Sequence, residues 1–216
     1  MKMQDYTESR IREFILDDHP CVMAQSVFAD DNVTLYDYKK MDDEKQQIKL
    51  LSDIKTYVDN QEEAKNTFQT FIAVFKKSKF QTELEFENAM WKLLHNLYEM
   101  DESEWDPNTN PDTGSSKFSF SLLGTSFYLV GMHPMSSRFA RKSPYPLIVF
   151  NLHSQFDVLR EVNRYTRVRD LIRRRDKAFQ GFINPMLEDF GKNSEARQYS
   201  GRAVPKDWKC PYNFKK

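Results

Sequence analysis

Glycine and cysteine are scarce in this sequence of 216 residues, which has 6 Gly and 2 Cys. An average protein has roughly 7% glycine, and no Walker loop or GxGxxG motif is present here. This absence argues against a glycine-rich phosphate-binding loop. Cys21 and Cys210 form no CxxC pair, which excludes a disulfide framework and a structural zinc site built from cysteines.

Long apolar runs are also missing. No window approaches the roughly 20 apolar residues of a membrane span, and residues 1–14 lack the apolar core of a signal peptide. The GxSxG and HExxH motifs of common hydrolases are absent as well. We therefore expect a cytoplasmic protein with no membrane partner, whose functional site follows no standard short motif.

Aromatic residues are abundant, with 17 Phe, 10 Tyr and 3 Trp, a content that excludes a disordered chain. The formal net charge of zero hides two unlike halves. Residues 1–116 carry 13 Lys and Arg against 24 Asp and Glu, whereas residues 117–216 carry 19 against 8. The halves could neutralise each other by packing together, or the basic half could hold an anionic cofactor or a nucleic acid.

Residue spacing predicts an α+β fold. Helices are expected where apolar residues recur at helical spacing, and strands where β-branched and aromatic residues alternate or cluster. The predicted helices cover residues 6–16, 21–29, 39–59, 83–100 and 156–179, and the predicted strands cover 33–38, 67–75, 118–124, 125–133 and 146–153. This order indicates one domain over residues 1–216, with a central antiparallel sheet flanked by helices and an irregular C-terminal wrap.

Two histidines end predicted strands and are candidates for chemistry. His133 is the last residue of the second strand of a predicted hairpin, and His153 is the last residue of the next predicted strand. Imidazole ligates metals and transfers protons near neutral pH, although each histidine could simply complete its strand. Because the strands are neighbours, we expect both histidines at the same end of the sheet.

Two arginines lie close to His133 in the segment GMHPMSSRFARK (131–142). Arg138 and Arg141 offer planar forks of donors that suit a carboxylate. We expect them to face one cavity together with His133. Tyr199 or Arg202, from the polar C-terminal stretch, would close its wall.

Cys21 is predicted at a helix N-terminus, directly after Pro20. The helix dipole there favours a thiolate that could ligate a metal. Packing as a small apolar side chain explains Cys21 equally well. His19, beside two aspartates, is interpreted as a surface residue.

Several segments resemble the YqcI/YcgG family. They are FSFSLLGTSFYLVGMHPMSSRFARK (118–142), PLIVFNLHSQFDVLR (146–160), RRRD (173–176), NPMLEDFGKNSEARQYSGR (184–202) and DWKCPY (207–212). More loosely, Pro20-Cys21 resembles the family's Phe-Pro-Cys element, with His19 in place of the Phe.

This resemblance implies a haem-dependent N-oxygenase. Such an enzyme would bind haem b, take electrons from a donor, and use O2 to hydroxylate a guanidino or amine nitrogen of a small, arginine-like substrate. His133, His153 or Cys21 would supply the axial iron ligand. Arg138, Arg141, Tyr199 and Arg202 would help to hold the cofactor.

Two other function classes remain open from the sequence. One is a haem-binding protein without catalysis, or a family member that has lost the cofactor. The other is a nucleic-acid-binding protein that uses the seven arginines between residues 160 and 175. Asp170 and Asp176 interrupt this basic run and disfavour the second class.

Overall fold

A five-stranded sheet runs through the middle of the computed structural model, which describes residues 3–60, 68–161, 163–183, 186 and 188–214. Within these residues the chain forms seven α-helices, and the sheet contains five strands. The helices are α1 (Met3–Leu16), α2 (Val22–Ala29), α3 (Glu44–Asp59), α4 (Glu83–Met100), α5 (His153–Glu161), α6 (Tyr165–Gln180) and α7 (Ala196–Tyr199). The strands are β1 (Val33–Asp37), β2 (Thr70–Val74), β3 (Phe120–Leu122), β4 (Thr125–Met132) and β5 (Leu147–Leu152).

The strands lie in the order β1-β2-β5-β4-β3. Strands β1 and β2 pair in parallel, and the other neighbours pair antiparallel. The hairpin β3-β4 turns at Leu123 and Gly124, which both have positive φ angles. The predicted α+β class, the hairpin and the three adjacent antiparallel strands are therefore confirmed.

Local capping explains where the helices begin. The Thr82 side chain accepts a hydrogen bond from the Glu85 backbone N–H at the start of α4, and the Asp43 carboxylate accepts two at the start of α3. Each cap satisfies backbone donors that the first helical turn leaves open. Helix α3 therefore begins at Glu44, five residues after the predicted start.

The two faces of the sheet bury different layers. One face packs against α3, α4 and the C-terminal residues around a large aromatic core that contains Phe71, Trp91, Phe150 and Phe214. The other face packs against α1 and α2 through a smaller cluster that includes Ile15 and Phe28. Helices α4 and α6 lie on opposite sides, as side chains of α6 line a cavity on the α1–α2 side.

The single long basic helix predicted over residues 156–179 is wrong. Helix α5 starts earlier, at His153, and ends at Glu161, and α6 begins at Tyr165. Asn163 has a φ of 55°, a left-handed conformation that asparagine tolerates better than most residues and that stops a right-handed helix. Asn184, Pro185 and Leu187 of the predicted C-terminal wrap lie outside the described residues.

Candidate functional site

An apolar cavity of about 270 Å³ lies between the sheet and helices α1, α2, α5 and α6. Ile72 and Val149 line it from the sheet, and Ile15, Phe156 and Ile172 line it from the helices. A concave, mostly apolar site with a few polar groups is typical of small-molecule binding, and its volume is just below the roughly 300–1,000 Å³ common for such sites.

One group of polar side chains in the cavity wall, here called the arginine end, consists of His19, Cys21, Arg138, Arg141 and Asp176. Arg138 Nη2 lies 3.4 Å from Asp176 Oδ2. Arg141 Nη1 donates to the carbonyl oxygen of Gly131 at 2.9 Å. Burial and, to a lesser extent, the neighbouring Arg138 lower the pKa of Arg141 to about 10, so Arg141 stays charged at neutral pH. Arg138 is also charged, because a guanidinium keeps its proton in proteins.

His19 is buried, contrary to the surface position expected for it. Its Nδ1 accepts a hydrogen bond from the Cys21 backbone N–H at 3.2 Å, and its Nε2 donates to the Ala140 carbonyl at 3.0 Å. These partners require the neutral imidazole with its proton on Nε2. Burial lowers the pKa of His19 to about 4, which favours the same neutral form.

Cys21 is the N-cap residue of α2, as predicted, and it lines the cavity. Burial raises the pKa of its thiol, although the backbone N–H groups of Ala24 and Met23 oppose that effect. Of the two alternatives for Cys21, the thiolate is therefore not favoured, because loss of solvent outweighs the effect of the helix N-terminus on the thiol pKa.

His153 lies at the first residue of α5 and forms a second polar group in the cavity wall with Glu195, here called the histidine end. Its Nδ1 lies 3.5 Å from Asp157 Oδ2, and its Nε2 lies 3.7 Å from Glu195 Oε1. Among the described residues, His153 Nε2 has no hydrogen-bond partner. Burial lowers the pKa of His153, but Glu195 and Asp157 outweigh it and the net change is upward.

The other three predicted site residues are not among the side chains that line the cavity. His133 stacks on Phe86 of α4, with ring centroids 4.4 Å apart. The Tyr199 hydroxyl lies within hydrogen-bond distance of the Phe127 carbonyl in the aromatic core. Arg202 donates to the buried carboxylate of Glu87. The structure thus brings Cys21, Arg138, Arg141 and His153 to one cavity and leaves His133, Tyr199 and Arg202 on the α4 side of the sheet.

Sequence reasoning missed Asp176 and the site role of His19. Glu195 belongs to the polar C-terminal stretch, which the sequence predicts as a hydrogen-bonded network or a substrate-holding wall, but its partner His153 was not predicted. A spacing signal for Asp176 exists, because Val168, Ile172 and Asp176 follow one another at intervals of four on the face of α6 that lines the cavity. An acidic residue on an apolar helix face indicates a buried partner. No local pattern indicates that Glu195 lies beside His153, because the fold alone brings the two together.

The described part of the chain has no helix long and apolar enough to cross a membrane. It also has no group of three or more His, Cys, Asp or Glu side chains placed to hold a metal ion. A haem iron needs only one or two protein ligands, so this finding does not bear on haem.

Comparisons with known proteins give one result. Neither the curated proteins nor the solved structures contain a match. The family model described as the YqcI/YcgG family matches residues 11–213. That range takes in α2, both ends of the cavity and the whole sheet, and on this match the chain belongs to the YqcI/YcgG family.

Proposed function

We propose that this protein is a haem-dependent N-oxygenase that hydroxylates a guanidino or amine nitrogen of a small amino-acid-like substrate, with the cavity as its active site. The observation that carries the proposal is the buried Nε2 of His153, which has no hydrogen-bond partner among the described residues and belongs to a side chain in the cavity wall. The Glu195 carboxylate faces this nitrogen at 3.7 Å, beyond hydrogen-bond distance, and an imidazole nitrogen without a hydrogen bond can serve as an axial haem ligand.

The side chains of the cavity fit a haem. Asp157 lies beside Nδ1 of His153, and a carboxylate at the second nitrogen is common in metal-binding histidines. Arg138 offers a buried cation for a propionate, Arg141 adds positive charge beside it, and Cys21 is the second candidate ligand. The volume of about 270 Å³ suits a molecule of amino-acid size, so the proposal includes a widening of the cavity when haem enters.

Bound haem b would supply the oxygen activation, with electrons from a donor protein. The chain's own residues would bind the haem and the substrate and would orient the substrate. The apolar side chains would exclude water, and the arginine end would hold anionic groups.

Reconstitution with haem tests the proposal. We expect the wild-type protein to bind one haem with a strong Soret band, and His153→Ala to lose most of it. His133→Ala is the matched control, because His133 lies on the other side of the sheet and its loss should leave haem binding intact. Loss in Cys21→Ala instead, with a red-shifted carbon monoxide difference spectrum, would assign the ligand to the thiolate. No haem binding by the wild type would overturn the proposal.

Turnover separates the enzyme from a haem-binding protein without catalysis. With O2, a reductant and arginine-like substrates, an N-oxygenase yields a product that is heavier by one oxygen atom, and a non-catalytic protein yields none. The nucleic-acid-binding alternative has little support, because Arg160, Arg169 and Arg173 of the basic run pair with carboxylates of the same chain that compete with phosphate groups.

A further inference from the structure

Arg138 is a buried cation whose hydrogen-bonding capacity is largely unused. Arg138 is 8% exposed and lines the cavity at the arginine end. Within the described residues its Nε and Nη1 have no hydrogen-bond partner. The contact of its Nη2 with Asp176 is long, at 3.4 Å, so the guanidinium has at least two donor atoms to offer.

Arg141, three residues later, is equally buried but differently used. Its Nη1 donates to the backbone carbonyl oxygens of Gly131 and Tyr199, and its Nη2 lies 3.5 Å from the backbone carbonyl oxygen of Gln198. These contacts tie the short 3₁₀ helix at Phe139–Arg141 to the end of α7. Arg141 therefore serves the fold, whereas Arg138 keeps Nε and Nη1 without a partner among the described residues.

Unpaired donors on a buried cation are costly, because the group has lost its water and gained no protein acceptor. Arg138 lines the cavity, so an acceptor bound there can reach it. We propose that Arg138 binds a carboxylate of the molecule that occupies the cavity, through the guanidinium nitrogens that the protein leaves without a partner. The inference deepens the proposed function, since a haem propionate and an amino-acid substrate both carry this group.

Local charge favours a carboxylate over a phosphate. Arg138 and Arg141 contribute two positive charges and Asp176 one negative charge, and His19 is neutral. The charges of Arg175 and Glu83, which also act on this group, offset each other. One net positive charge remains, which a monoanion neutralises, whereas a phosphate monoester carries about −1.5 to −2 near neutral pH. The planar fork of arginine also matches the two oxygens of a carboxylate.

Two ligand pairs test the proposal on the full-length protein prepared without haem. The first pair is haem b and its dimethyl ester, which has no free propionate. The second pair is L-arginine and agmatine, which lacks the carboxylate of L-arginine. This second pair is informative whether or not the protein binds haem. We expect calorimetry to show that the wild type binds the carboxylate-bearing member of at least one pair about 10- to 100-fold more tightly, the range of a charge-assisted hydrogen bond.

Arg138→Gln should abolish that preference. Arg160→Gln is the matched control, because Arg160 also lines the cavity but pairs with Asp157, and it should keep the preference. If Arg138→Gln does not fold, Arg138→Lys keeps the charge beside Asp176 and should retain only part of the preference.

The outcomes separate the sources of the carboxylate. A preference within the haem pair identifies a propionate, and one within the second pair identifies a substrate carboxylate. The proposal is overturned if the wild type prefers neither carboxylate, including the case of no binding, or if Arg138→Gln discriminates as the wild type does. A preference for L-arginine in a protein that never binds haem would overturn the proposed function alone.

Discussion

His133 and His153 lie at opposite ends of the β4-β5 pair. The register pairs Met132 with Leu147 and Phe127 with Leu152, so the residues that follow the two strands are separated by the length of the pair, roughly 20 Å at about 3.4 Å per residue. They also belong to different layers, since His133 stacks on Phe86 and His153 lines the cavity. One ligand cannot contact both.

Acid should destabilise the protein through His133. Burial lowers the pKa of His133 from 6.5 to about 4, although Glu83 opposes the change. Between these two values the unfolded chain binds more protons than the folded one, so stability is fully present above pH 6.5 and is lost as the pH falls towards 4.

His133→Phe keeps a ring beside Phe86 and removes this titration. We expect the loss of unfolding free energy between pH 7 and pH 4.5 to shrink by about 2 kcal/mol. Urea unfolding at the two pH values measures it. An unchanged pH dependence would show that His133 is not buried as a neutral ring.

Gly131→Ala should destabilise the fold. A Cβ at this position would lie 2.8 Å from Cε1 of Phe86 and 2.9 Å from the carbonyl oxygen of Tyr199, and a backbone atom cannot move aside cheaply. We expect a loss of about 1–3 kcal/mol in denaturant unfolding. Gly114→Ala is the control, because its Cβ would meet only Asp112 Oδ1 at 3.4 Å. Equal stability of the two variants would contradict the close packing.

Arg202→Met should cost about 3 kcal/mol of unfolding free energy, since it leaves the Glu87 carboxylate buried without its cation. Arg202 Nη2 lies 2.6 Å from Glu87 Oε1, and Ser200 and Trp208 also donate to this carboxylate. Arg10→Met breaks only the exposed pair with Glu13 and should change stability by less than about 1 kcal/mol. Similar small losses in both variants would contradict a structural role for the Glu87 contact.

Cys21 should react slowly with iodoacetamide. Its thiol pKa is raised by burial, so little thiolate is present at pH 7.5. We expect alkylation at least tenfold slower than in the urea-unfolded chain, measured by mass spectrometry of the labelled peptide. Cys210 is the internal reference for a thiol away from the cavity, because it packs against the aromatic core on the other side of the sheet. Burial raises its pKa to about 12, so it should also react slowly. Faster reaction of Cys21 than in urea would instead indicate a thiolate.

Local patterns predicted single elements well and their relations less well. Helix α4 has the predicted bounds, because its apolar periodicity and its Thr82 cap are both local. The prediction that His133 and His153 lie together assumed that two neighbouring strands end at the same edge of the sheet. This holds for parallel strands only, and β4 and β5 are antiparallel. Arg202 meets Glu87 across 115 positions, and no local pattern indicates that pairing.

The cavity has consequences for synthesis on the ribosome. Arg175 of α6 donates to the His19 carbonyl and to Gln25, across 156 and 150 positions of sequence. Helices α1 and α2 therefore emerge long before the helices that complete the cavity have been translated, and their apolar faces must wait for the second half of the nascent chain. A ligand can be enclosed in the cavity only after α6 has left the exit tunnel.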